Sequence, residues 1–182
     1  MPKDNVARAI ARAAGPSTEA AATALTLEGY GPGGSALLID VVTDNRNRTV
    51  SDVRRALSAA DGSLGESGSV AWQFERRGLF TVEHAANPDA VELAAIDAGA
   101  LDIDREGNDL DIETTPERLK AVETALKTAG ITPTSVQITN IPKQSVLLDA
   151  ATMEKLASLI ESLEEHNDVV EVTTNAAPPG DT

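Results

Sequence analysis

The order of the elements predicted between residues 79 and 141 constrains the fold more than any other feature of this sequence. Apolar alternation predicts a strand in LFTVEH, followed by a helix at 87–100 and two short strands, LDID and NDLDIET. A second helix at 115–130 leads to the strand SVQITNI, which Pro142 ends. This β-α-β-β-α-β order is typical of a ferredoxin-like domain, which the sequence places at residues 79–148.

The elements on either side of that domain predict a second sheet made of two chain segments. The strands LTLEGY and SALLIDVV are joined by the turn GPGG, and a helix follows at 50–60 with Thr49 as its cap. A helix at 149–165 and a strand at 168–174 come after the ferredoxin-like unit is complete. They are most simply explained if they return to the first sheet. The sequence thus predicts an α+β fold, in which an α/β domain formed by residues 21–78 and 149–175 contains the ferredoxin-like domain as an insertion.

The few aromatic residues are predicted to pack inside. VAWQFE, at 70–75, predicts a strand that ends at Arg76-Arg77-Gly78, and Trp72 and Phe74 share one of its faces. For Tyr30 at the GPGG turn, packing is the first interpretation and stacking on a nucleobase is the second. At the ends of the chain, residues 2–14 predict a helix, and residues 176–182 predict a disordered tail.

The sequence offers no residues arranged for catalysis or metal binding. It has no cysteine, which excludes disulfides and thiolate ligands. His84 and His166 are far apart and lie beside acidic residues, which indicates surface roles. The acidic run from Asp102 to Asp111 lacks the order of a calcium loop. We therefore predict a protein that is not an enzyme and that needs no metal and no cofactor.

The net charge of −14 is distributed unevenly along the chain. Residues 1–80 contain nine basic and nine acidic residues, whereas residues 81–182 contain six basic and twenty acidic ones. The first part is therefore the one that can approach an anion. No apolar run approaches the roughly 18 residues that span a bilayer, and the N-terminus lacks the apolar core of a signal peptide. We expect a cytoplasmic protein with no membrane partner.

The stretch TDNRNRT, residues 43–49, places two arginines and two asparagines between a strand and a helix. Arginine guanidinium groups bind phosphate oxygens through paired hydrogen bonds, and helix N-termini collect backbone N–H donors. A structural interpretation is equally supported: Asp44 pairs with Arg46 or Arg48, and the asparagines shape the turn. The spacing alone leaves both interpretations open.

Three separated motifs resemble one known family, in the same order: EGYGPGG (28–34), TDNRNRT (43–49) and GSVAWQFERRG (68–78). MPKDN at the start and LIESLEEHNDVVEVTTN (159–175) extend this resemblance to the YebC/PmpR family, which includes the mitochondrial translational activator of cytochrome c oxidase. The resemblance implies three domains: a basic helical domain, an α/β domain of two segments, and an inserted ferredoxin-like domain. Members usually begin with a lysine-rich segment ahead of MPKDN, so residues 1–20 are expected to be the remnant of the first domain.

The resemblance also implies a function, which is DNA-binding regulation of transcription without catalysis. A second hypothesis is a translation factor that associates with ribosomal RNA and the ribosome, because no base-reading motif accompanies the basic residues. A third is an acidic protein-interaction module. The candidate nucleic-acid contacts are the basic and amide residues of the first part: Lys3, Arg8, Arg12, Asn45, Arg46, Asn47, Arg48, Arg54, Arg55, Arg76 and Arg77. For Arg54 and Arg55 a solvated helix face is the alternative, and for Arg76 and Arg77 a hinge paired with acidic residues.

Overall fold

The computed structural model describes residues 21–179, which contain four α-helices and ten β-strands. These residues form two units. Among the described residues, one unit contains 21–74 and 142–179, and the other is the continuous stretch Glu75–Ile141. The predicted α+β class is confirmed. The predicted helix at 2–14, the remnant at 1–20 and residues 180–182 lie outside the described residues.

The elements are numbered along the chain. They are β1 (Thr23–Tyr30), β2 (Ala36–Thr43), α1 (Arg46–Ala59), β3 (Ser63–Leu64), β4 (Phe74–Val82), α2 (Pro88–Ala98), β5 (Asp102–Glu106), β6 (Asp109–Thr114), α3 (Leu119–Thr128), β7 (Ser135–Pro142), β8 (Val146–Leu147), α4 (Ala150–Glu164), β9 (Val169–Thr174) and β10 (Ala176–Ala177). Short 3₁₀ turns occur at Pro32–Gly34, Ala71–Gln73 and Pro116–Arg118.

The sheet of the first unit has the strand order β3-β1-β2-β9, and its neighbouring strands are antiparallel. In the β1–β2 ladder Tyr30 lies opposite Ala36, and Thr23 lies opposite Thr43. The strand β9 pairs with β2, so the C-terminal segment returns to the first sheet as predicted. The two ends of the β1–β2 ladder therefore bear different features: the GPGG turn at one end, and the start of α1 at the other.

The central strand β2 is apolar on both faces because both faces are covered. Leu37, Ile39 and Val41 belong to a core that includes residues of α1 and α4. Ala36 and Leu38 face the other way and pack with Val70 and Phe74. A strand buried on both faces reads as a continuous apolar run, which explains SALLIDVV.

A buried carboxylate on β1 organises the loop at residues 65–71. Glu28 is only 7% exposed. It accepts hydrogen bonds from the backbone N–H groups of Gly68 (2.6 Å), Val70 (2.8 Å) and Ala71 (2.8 Å). Burial alone raises the pKa of this carboxyl group, but the three bonds outweigh burial and hold the pKa below its ordinary value. An ionised side chain thus fixes the backbone of a loop that forms few regular hydrogen bonds of its own.

The second unit has the element order β-α-β-β-α-β and the sheet order β5-β6-β4-β7. Its core joins the sheet to α2 and α3 through Phe80, Ile112, Val122 and Leu126, all of which are fully buried. The order of helices and strands in this unit could be predicted from the sequence, because each element has a regular apolar periodicity.

The predicted break at Arg76-Arg77-Gly78 is wrong. The strand β4 runs through these residues, whereas Ala71–Gln73, predicted as strand, is a 3₁₀ turn. Gly78 is buried inside β4, where an added Cβ would lie 2.4 Å from Leu119 Cδ1. This glycine permits close packing of a helix on a strand and does not mark a chain break. The units accordingly divide after Phe74, whereas the predicted boundary follows residue 78.

Residues 142–148 belong to the first unit, although the prediction assigned them to the insertion. The strand β8 pairs in parallel with β10, and Leu148 contributes to the core of the first unit. Ala176 and Ala177 are consequently ordered, and the predicted disordered tail is wrong at those two positions. Within residues 21–179, no helix combines the length and the apolar character that crossing a membrane requires.

We predict that Glu28→Gln lowers the free energy of unfolding by about 2 kcal/mol, because an amide has one accepting oxygen where the carboxylate has two for its three N–H donors. Urea denaturation measures this change. Hydrogen exchange should also become faster at the amides of Gly68, Val70 and Ala71. The matched control is Glu66→Gln, an exposed position in the same loop, where a change within about 0.5 kcal/mol is expected. Equal stability of the two variants would contradict this role of Glu28.

Candidate nucleic-acid interface

The helix α1 begins at Arg46, three residues before the predicted cap. Asn45 is the N-cap, and its Oδ1 accepts a hydrogen bond from the backbone N–H of Arg48 at 3.1 Å. The backbone N–H of Asn45 in turn donates to Thr43 Oγ1 at 2.9 Å. The prediction of Thr49 as cap is wrong because asparagine caps helices well and comes earlier in the chain. Asn45 therefore has a structural role at the turn.

The start of α1 is attached to the C-terminal segment by the buried carboxylate of Asp168, which is 3% exposed. Its Oδ2 accepts from Thr49 Oγ1 (2.7 Å), Thr43 Oγ1 (3.1 Å) and Arg48 Nη2 (3.3 Å). Burial alone raises the pKa of Asp168, but these three hydrogen bonds, led by that of Thr49, outweigh burial and lower the pKa. The carboxylate is thus ionised and bonded inside the protein, where it joins residues more than 100 positions apart.

A histidine adds a second attachment between the same segments. His166 Nδ1 accepts a hydrogen bond from the backbone N–H of Asp168 at 3.2 Å. This leaves Nε2 as the donor to Asp52 Oδ2 on α1, at 3.3 Å. His166 is half-buried in this position, in contrast to the predicted surface role. His84 is exposed, as predicted.

Arg48 is bonded within the protein, which favours the structural interpretation for this arginine. Its Nη2 contacts Asp44 Oδ1 at 2.9 Å as well as Asp168, and its side chain is 52% exposed. Asp44 thus pairs with Arg48, one of the two arginines considered for it. Asn45 and Arg48 thus position the start of α1. Part of the Arg48 guanidinium remains accessible to solvent.

The other candidates on α1 are exposed. Arg46, Asn47 and Arg54 are open to solvent, and Arg55, at 79% exposure, has one long contact of 3.9 Å with Asp52. Asn47, Ser51, Arg54 and Ser58 follow the helical spacing i, i+4, i+7 and i+11, with Arg55 beside them, and Arg46 is exposed at the first turn; these exposed residues of α1 are together called the arginine face. The opposite side, with Thr49, Val53 and Leu57, is buried.

The remaining candidates lie in the second unit or outside the described residues. Arg76 and Arg77 belong to the second unit, where Arg76 is exposed. Arg77 is 22% exposed and forms two ion pairs. Its Nη2 contacts Glu75 Oε2 at 2.9 Å, and its Nη1 contacts Glu113 Oε2 at 3.9 Å. This pairing supports the structural interpretation for Arg77. Lys3, Arg8 and Arg12 lie outside the described residues.

Sequence reasoning missed the two buried carboxylates, Asp168 at the start of α1 and Glu28 at the loop 65–71. Asp168 was only the first residue of a predicted strand, and Glu28 only part of a motif. Their partners are distant in sequence, so no local periodicity marks them as buried. The one available signal was the family-like sequence around both acids. Within the described part of the chain, no three His, Asp or Glu side chains group closely enough to bind a metal ion.

Comparison with known proteins finds the same similarity over most of the chain. Residues 22–176 match the family described as TACO1/YebC second and third domain. A "Probable transcriptional regulatory protein" of Moorella thermoacetica is 46% identical over 183 residues, covering 98% of this chain and 73% of that protein. A relative with the same name from Deinococcus radiodurans is 45% identical over 182 residues, covering 100% of this chain and 74% of its own. The crystal structure of the conserved hypothetical protein Aq1575 from Aquifex aeolicus superposes with a TM-score of 0.82 at 36% identity, covering 100% of this chain and 75% of that one.

We predict that Asp168→Asn lowers the free energy of unfolding by about 2 kcal/mol at neutral pH, because a neutral amide oxygen accepts weaker hydrogen bonds from these three donors than a carboxylate does. The folded pKa of Asp168 is lowered, so its carboxylate stabilises the fold above the unfolded pKa of about 4 and this contribution is lost as the pH falls through the folded pKa. The difference between the two proteins should therefore shrink at low pH.

Urea denaturation over a pH series tests this prediction. Asp44→Asn is the matched control, since Asp44 contacts the same arginine but its side chain is 52% exposed, and we expect a change within about 0.5 kcal/mol. A stability difference for Asp168→Asn that is constant at every pH would show that its ionisation does not contribute.

Proposed function

The chain belongs to the TACO1/YebC family, and from that premise we propose that it is a non-enzymatic regulator of gene expression that binds nucleic acid through the arginine face of α1. The relatives named above support the regulatory role through their printed names, "Probable transcriptional regulatory protein". The observation that carries the proposal is a cationic helix side held in a fixed orientation by buried bonds at its start.

The arginine face has the chemistry that phosphate recognition requires. The helix contains four arginines, of which Arg46, Arg54 and Arg55 are largely free of ion pairs among the described residues. Its one acidic residue, Asp52, accepts a hydrogen bond from His166 and makes a long contact of 3.9 Å with Arg55. Guanidinium groups form paired hydrogen bonds with phosphate oxygens, and Asn47 adds a neutral donor. Asn45, as the N-cap, and Arg48, through its bond to Asp168, position this surface.

The second unit is a poor candidate for the same contact. Its β5–β6 ladder sets acidic residues directly opposite one another, in the pairs Asp102–Glu113, Asp104–Asp111 and Glu106–Asp109. Like charges placed opposite each other repel, and they would also repel a phosphate backbone. We therefore assign the nucleic-acid contact to the first unit, with Arg76 and Arg77 as lesser contributors.

Duplex DNA is the first candidate target, which agrees with the names of the relatives. Folded ribosomal RNA is the second, and one observation favours it. The helix α1 follows strand β2 and precedes strand β3, so among the described residues it is not part of a helix-turn-helix. A surface of arginines without base-reading geometry suits recognition of shape and backbone, which is typical of protein–RNA contacts.

We predict that the double variant Arg46→Ala/Arg54→Ala binds its nucleic acid about tenfold more weakly at near-physiological salt. The slope of log affinity against log salt should fall by about two, because two phosphate contacts are lost. Fluorescence anisotropy with labelled nucleic acid measures both quantities. The control is Lys120→Ala/Lys155→Ala, which removes the same charge from exposed positions on α3 and α4. If both variants weaken binding equally, net charge alone explains the effect and the arginine face is not the contact.

Co-sedimentation with ribosomes in the presence of excess duplex DNA separates the two targets. Pelleting that survives the DNA and is lost in the Arg46→Ala/Arg54→Ala variant identifies a ribosome-associated factor. Loss of pelleting on addition of DNA identifies duplex DNA as the preferred ligand. If the protein binds neither ribosomes nor DNA, the proposed function is wrong for this chain.

A further inference from the structure

The polar-tipped aromatic residues of this chain lie together at the surface. The sequence has one tryptophan, one tyrosine and two phenylalanines. Both phenylalanines are buried, whereas Trp72 is 68% exposed and Tyr30 is 37% exposed. The prediction that Trp72 is a core residue is therefore wrong. A chain with so few aromatic residues places the two amphipathic ones where they can meet a partner.

Both exposed rings are attached to the same backbone atom. Trp72 Nε1 donates to the carbonyl oxygen of Ser69 at 3.0 Å, and Tyr30 Oη donates to that oxygen at 3.3 Å. We call Tyr30 and Trp72 the aromatic pair. Because the polar hydrogen of each ring is already used, each ring presents mainly its apolar surface to solvent. A flat, unsaturated ligand is the one that such surfaces bind best.

The carbonyl that anchors the aromatic pair is itself held in place. Glu28 accepts hydrogen bonds from the residue before Ser69 and from the two residues after it. Val70 beside Ser69 is fully buried and packs with Phe74. A preorganised surface loses little conformational entropy on binding, so the aromatic pair is suited to a stacking ligand.

We propose that the aromatic pair stacks on an unpaired nucleobase, and so gives the protein a preference for nucleic acid with a single-stranded segment. This inference rests on the proposed function and specifies its ligand further. Lys143 supports the choice, since its backbone N–H donates to the carbonyl of Gln73, next to Trp72, at 2.8 Å and its side chain is exposed. It supplies a cation for the phosphate beside a stacked base.

The stacking site and the arginine face are separate contacts. Tyr30 is at the end of the β1–β2 ladder where Ala36 pairs, and α1 starts at the other end, beyond Thr43. Eight paired residues separate these ends, which corresponds to about 23 Å along the strands. Changes at one contact therefore leave the other intact, which makes the two roles separable by mutation.

The single tryptophan makes stacking directly observable. The full chain is titrated with a single-stranded RNA oligonucleotide of about twelve nucleotides, with the same oligonucleotide annealed to its complement, and with inorganic polyphosphate. We expect the single strand to quench Trp72 fluorescence, and the duplex and polyphosphate to leave it nearly unchanged. Quenching by polyphosphate to the same extent would overturn the proposal, because no base is present to stack.

Variants test the same point by affinity. Trp72→Ala should weaken binding of the single strand about tenfold and leave binding of the duplex unchanged. The exposed position makes a folding defect unexpected, and circular dichroism checks it. Glu66→Gln removes the acidic side chain of the supporting loop and should strengthen strand binding, whereas a basic protein partner would bind this variant more weakly. Strengthened strand binding supports the proposal, and weakened strand binding contradicts it.

The outcomes distinguish this inference from the proposed function. If Arg46→Ala/Arg54→Ala weakens binding but Trp72→Ala does not, and the fluorescence stays constant, the stacking proposal is wrong and the arginine face stands. If the unmodified chain binds neither the strand nor the duplex, the proposed function itself fails. Loss of single-strand affinity in Trp72→Ala, with duplex affinity retained, supports both.

Discussion

The buried carboxylate of Asp168 is the interaction on which the first unit depends. It accepts hydrogen bonds from Thr43, Thr49 and Arg48, which come from the end of one strand and the first turn of a helix. Because Asp168 precedes β9, these bonds join the two chain segments that form one sheet. They also fix the direction in which α1 leaves the sheet. The orientation of the arginine face is therefore determined by an acid far away in the sequence.

Glu28 acts by the same physical principle at the other end of the β1–β2 ladder. An ionised oxygen inside a protein is stable only when donors surround it, and a loop with free N–H groups provides such donors. The bonds from Gly68, Val70 and Ala71 satisfy the Glu28 carboxylate and the N–H groups of the loop at once. They also give the aromatic pair a fixed support. In a chain of net charge −14, these two carboxylates serve structure and not solubility.

The stretch TDNRNRT shows why a motif can support two interpretations. Thr43, Asn45, Arg48 and Thr49 form the cap and the network around Asp168, so four of the seven residues are structural. Arg46 and Asn47 lie between them along the chain but are open to solvent. The residues bonded within the protein hold the helix start, and Arg46 and Asn47 are therefore presented in a defined direction. The structural and the ligand-binding interpretations therefore apply to different side chains of the same seven residues.

The sequence by itself determined the order of helices and strands, the mixed α and β class and the family resemblance, because apolar periodicity and motif order are local properties. Only the tertiary structure decided which polar residues are internal. Asp168 and Thr49 meet across more than 100 residues, and no local pattern encodes that contact. The same reason explains Trp72, whose alternation with Phe74 predicted a shared core face. A 3₁₀ turn places Trp72 outside, and the bond to Ser69 keeps it there.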